Sequence, residues 1–120
     1  MISRVFILSF CLVFNCFCQE VITDDDFENK EGIILIEIWE AWNKPNECKW
    51  LHEIKNAEIF RMKARTQVAI KNGVVSLPTI ILYENGYKVE KWEADLSFKL
   101  PERYKNQIQR SIDDLNISNF

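Results

Sequence analysis

The chain has 120 residues and a formal net charge of −3, with 48% hydrophobic and 28% charged residues. That length suits one domain and excludes two of ordinary size. The balance excludes a disordered or fibrous chain, and a mildly acidic composition without a basic stripe argues against nucleic acid as a partner.

The N-terminus does not read as part of the fold. Arg4 gives a short positive start, residues 5–14 are almost wholly apolar, and Cys16-Phe17-Cys18 places small side chains just before Gln19. This pattern predicts an export leader over residues 1–18 and a mature domain over 19–120, periplasmic or secreted. An uncleaved anchor is the alternative. A spanning helix needs about 20 apolar residues, and this run is shorter and broken by Asn15. No stable membrane span is therefore expected after cleavage. A lipid anchor through Cys16 or Cys18 is disfavoured by its neighbours Asn15 and Phe17.

Residues 21–27 predict a short strand and then a helix start. Thr23 or Asp24 can accept from the first free helical amides, and the acidic run suits the positive helix end. Glu31-Gly32 breaks that helix. Residues 33–39 form an apolar run with one interruption, Glu37, as expected for a strand buried on both faces. Pro45 suits the first turn of the next helix. Cys48, Leu51 and Ile54, three residues apart, predict its inward face. That helix must be short, because residues 57–62 read as another strand. Residues 66–71 predict a short helix ended by Asn72-Gly73. Residues 74–83 predict a strand interrupted by Pro78. Asn85-Gly86 predicts a hairpin turn, since both residues tolerate positive φ, and residues 88–93 predict the returning strand. Tyr104, Ile108, Ile112 and Leu115 line one side of a last helix over residues 101–115. The order β-α-β-α-β-α-β-β-α predicts a three-layer α/β domain, a mixed central sheet with helices on both faces.

Several of these segments are similar, in order, to the thioredoxin family. Thr23 to Phe27 resembles its opening strand-to-helix step. Residues 33–42, ending in Trp39-Glu40-Ala41-Trp42, resemble its central strand and active-site approach. Gly73-Val74-Val75-Ser76-Leu77-Pro78-Thr79 resembles the stretch that leads to its cis-proline, and Asn85-Gly86 matches its hairpin. The likeness spans nearly all of residues 21–115 and implies a thioredoxin fold. The segment between Asn46 and Ile59 is shorter than usual, which implies a truncated second helix.

The likeness fails at the chemistry. After the second Trp the family reads Cys-Gly-Pro-Cys; here the positions are Asn43, Lys44, Pro45 and Asn46. An amide forms no thiolate, and the thiolate is the nucleophile of disulfide exchange. Asn46 suits a helix start, where its side chain can accept a backbone hydrogen bond. The resemblance further implies a cis Leu77–Pro78 bond and a partner-binding surface over Trp42, Ser76, Leu77, Pro78 and Thr79, where an extended polypeptide would add as a strand. Trp42 could instead simply cover the altered loop. Glu37 stands where the family keeps a buried acid beneath its cysteines, and the family's partnering lysine position falls on Ile59. Glu37 is then a structural hydrogen-bonder or a working acid.

Cleavage of the leader leaves Cys48 as the one cysteine. On an α-helix it would face about 200° away from Asn46, on the inward side. Free cysteine is commonly buried. The alternatives are a reactive thiol, with Cys48 and Glu37 as the catalytic candidates of a thiol–disulfide or monothiol redox protein, or a Cys48-linked dimer. A monomer is otherwise expected. His52 is the only histidine, and structural zinc wants four ligands, so neither a metal nor a cofactor is expected. The function expected from the residues is therefore non-catalytic binding of an unidentified polypeptide.

Overall fold

The computed structural model describes residues 20–46, 48–95 and 97–118. The expected leader, residues 1–18, lies outside the described residues. The strands are β1 (Glu20–Val21), β2 (Ile33–Trp39), β3 (Glu58–Lys63), β4 (Thr79–Glu84) and β5 (Tyr87–Glu93). The α-helices are α1 (Asp24–Glu28), α2 (Gln67–Lys71) and α3 (Tyr104–Ser118). One sheet runs in the order β1-β3-β2-β4-β5. β3 pairs in parallel with β1 and β2, while β4 runs antiparallel to both β2 and β5. The β4–β5 register shifts between Leu82 and Tyr83.

Alternation along the central strand builds two cores. Ile34, Ile36 and Ile38 point to one face and pack with Phe60, Met62 and Ile81, covered by Phe27 of α1 and Val68 of α2. Leu35 points the other way, with Ile80 and Leu82, and is covered by Ile108 and Ile112 of α3. Each such side chain contributes about 1.5–3 kcal/mol by leaving water. Two stacked cores on one sheet give the expected three-layer α/β architecture.

Local chemistry sets the ends. Thr23 caps α1 in a reciprocal box with Asp26, which satisfies two otherwise orphaned donors. Asp24 reaches across to the amides of Gln67 and Val68 at 2.9 and 3.1 Å and so caps α2 as well. Asn85 and Gly86 both adopt positive φ in the hairpin.

Two local expectations change. The helix expected from Pro45 is instead a pair of 3-10 stretches, Ala41–Asn46 and Lys49–Glu53. The Cys48 amide, which a continuing helix would use, donates to Glu37 Oε2 at 2.8 Å. Cys48 itself is extended, with φ −75° and ψ 95°. The strand expected from residue 74 begins only at Thr79, with the preceding residues forming a bend into Pro78.

Candidate functional site

β2 delivers the chain to the loop, and the bend before β4 brings Leu77 and Pro78 alongside it. The Leu77–Pro78 peptide bond is cis. Asn43 is 6% exposed and joins three segments. Its Nδ2 donates to the Leu77 carbonyl at 2.9 Å and to the Phe98 carbonyl at 3.3 Å. Its Oδ1 accepts from Asn46 Nδ2 at 2.8 Å. Asn46 thus donates to its neighbour's side chain instead of accepting a helical amide. The two amides meet across a kink at Asn43, whose backbone (φ −105°, ψ 17°) departs from helical values.

Trp42 is 63% exposed and meets the Phe98 ring edge-to-face at 5.8 Å. Phe98 has φ 61°, a region that bulky residues rarely occupy. Val75, in the bend leading to Pro78, is also exposed. Leu77, Pro78 and Thr79 are buried, and Ser76 is intermediate. The Ser76 carbonyl accepts from Thr79 Oγ1 at 2.7 Å, and the Pro78 carbonyl accepts from the Ala94 amide at 3.1 Å. Ser76 Oγ is buried with no hydrogen-bond partner among the described residues, and a hydroxyl in that state costs about 1–3 kcal/mol. No local sequence signal points to Phe98, which reaches the site only through the path of the loop after β5.

Below this surface lies a buried ion pair. Glu37 is fully buried. Arg61 Nε donates to its Oε1 at 3.0 Å, while the Cys48 amide occupies Oε2. Arg61 lies directly opposite Glu37 in the β2–β3 register, and its guanidinium carbon stands 5.2 Å from the Trp39 ring centre. Sequence reasoning missed Arg61. The available signal was the one basic residue of the run 57–62, on the same strand face as Ile59.

Cys48 is 5% exposed and packs with Leu51 and Ile54. Burial pushes its thiol pKa far up, and the Glu37 charge adds to the shift. Below the unfolded value of about 8.5 the thiol is neutral in both states and stability is independent of it. Above that pH the unfolded thiol ionises while the folded one does not. The native state should then lose up to about 1.4 kcal/mol per pH unit relative to Cys48→Ala. Iodoacetamide at pH 8.5 should label native Cys48 at least about 100-fold more slowly than urea-unfolded Cys48, given that only the thiolate reacts. Equal rates would mean an open thiol.

Among the described residues there is no cluster of three His, Cys, Asp or Glu side chains able to hold a metal. Nor is any helix among them long and apolar enough to cross a membrane.

No family model matches the chain. Over 83 residues it is 29% identical to thioredoxin of Staphylococcus epidermidis, an alignment covering 58% of this chain and 78% of that protein. Thioredoxin of Staphylococcus aureus matches at the same identity and coverage. Among solved structures, Malassezia sympodialis thioredoxin superposes with a TM-score of 0.58 at 19% identity, over 81% of this chain and 90% of that one. A mutant thioredoxin from Halobacterium salinarum gives 0.58 at 18% identity, over 80% and 88%.

Proposed function

We propose that this thioredoxin-like protein binds an extended polypeptide without catalysing disulfide exchange. The observation that carries the reading is the pair Asn43 and Asn46, hydrogen-bonded to each other in the loop beside the exposed Trp42. The loop is retained as structure, and sulfur is missing from it. Trp42, Phe98 and Val75 supply apolar contact area, and large aromatics are frequent anchors at interfaces. Ser76 and Leu77 supply backbone for an added strand, with Pro78 and Thr79 forming the bend beneath. The apolar leader supports export, with Gln19 as the first residue of the mature protein.

Reduced, carboxymethylated α-lactalbumin, an unfolded chain with blocked thiols, is the test ligand. Residues 19–120 should bind it, and Trp42→Ala should weaken binding by about tenfold or more, as expected for an aromatic anchor. The same protein should not accelerate insulin reduction by dithiothreitol. Acceleration that disappears in Cys48→Ser would replace this reading with that of a redox enzyme acting through Cys48. The burial of that thiol weighs against it.

A further inference from the structure

We propose that Asn43 holds the partner surface closed, its side-chain amide standing in for the backbone N–H of the segment the surface receives. This rests on the polypeptide-binding reading above. An added strand attaches through its amides to carbonyls of the receiving edge. At this bend the Leu77 carbonyl already accepts Asn43 Nδ2 and the Pro78 carbonyl already accepts the Ala94 amide. The first of these donors is a side chain. Turning it about its side-chain torsions breaks no backbone bond, though it gives up the Asn46 bond to its Oδ1.

The same amide also ties down Phe98. Phe98 sits at φ 61°, a conformation that persists in an aromatic residue only when its surroundings impose it. Three contacts hold it here: its own amide donates to the Asp95 carbonyl at 3.0 Å, its carbonyl accepts from Asn43, and its ring meets Trp42 edge-to-face. Displacing Asn43 exchanges one donor to Leu77 for another, so that bond is conserved. Phe98 then loses one of its three ties and keeps its amide bond to Asp95 and its contact with Trp42. The segment received is therefore one with a free N–H, not a proline, at the pairing position, next to an apolar side chain for the Trp42–Phe98 pair.

The test compares native protein, Asn43→Ala and Asn46→Ala, all over residues 19–120, binding reduced carboxymethylated α-lactalbumin by calorimetry. Asn43→Ala should bind roughly tenfold tighter, the worth of one displaced hydrogen bond with some strain relief. Asn46→Ala, which releases Asn43 Oδ1, should fall between the native protein and Asn43→Ala. Amide exchange at residues 97–100 should also quicken in Asn43→Ala, because Phe98 loses one of its ties. If Asn43→Ala does not fold, Asn43→Leu, which is close in shape and has no donor, takes its place. Equal or weaker binding by the Asn43 variant overturns the latch and leaves polypeptide binding standing. Absence of binding in every protein, native included, overturns polypeptide binding itself.

Discussion

Replacing Arg61 by alanine should cost the fold about 3–5 kcal/mol, the usual result of stripping one partner from a buried ion pair. Glu37 is fully buried and Arg61 is 16% exposed along its side chain, so little solvent is available to screen the carboxylate once the guanidinium is gone. A domain of this kind has only about 5–15 kcal/mol in total. In urea the midpoint should fall by about 1 M or more with an unchanged slope. The double change Glu37→Leu with Arg61→Leu should recover most of the loss, since apolar replacement of a whole buried pair is often neutral. Recovery should stop short by about 1–3 kcal/mol, because the Cys48 amide then loses its acceptor. A loss below about 1 kcal/mol for Arg61→Ala would mean that the pair behaves as a surface contact.

The second large effect is a gain. Asn43→Cys with Asn46→Cys should raise the rate at which the chain accelerates insulin reduction by dithiothreitol. The two side chains already touch at 2.8 Å across the kink at Asn43, close enough for a pair of cysteines to close. Oxidation should remove two hydrogens, visible by mass spectrometry. The Leu77 and Phe98 carbonyls lose their donor, so a stability loss of about 1–3 kcal/mol should accompany the activity. Two thiols that alkylate freely and never pair would show that the loop's geometry, and not only its residue types, has departed from redox use.

These effects sit on parts of the molecule that were unequally visible in the sequence. The central strand was legible because burial on both faces demands an unbroken apolar run, and residues 33–39 provide one around Glu37. Asn85-Gly86 and the Thr23 cap were legible because each is local, settled within four residues. The spacing of Cys48, Leu51 and Ile54 suits a helical face, yet only Leu51 lies in the short 3-10 stretch, with Cys48 and Ile54 its extended caps. Arg61 escaped because matching it to Glu37 requires the register of two parallel strands. The Asn43 bonds to Leu77 and Phe98 escaped for a stronger reason. They span 34 and 55 residues of sequence, and no local periodicity encodes where two loops will meet.

The shifted register between β4 and β5 has a consequence for how copies of this protein meet one another. An outermost strand invites a neighbour's backbone only when it is straight and long. Among the described residues one margin of the sheet is a two-residue stub. The other carries the irregularity opposite Leu82 and Tyr83 along with Lys88, Glu90, Lys91 and Glu93. At the β5 margin, that irregularity and those charges disfavour side-by-side stacking of copies into a growing ribbon.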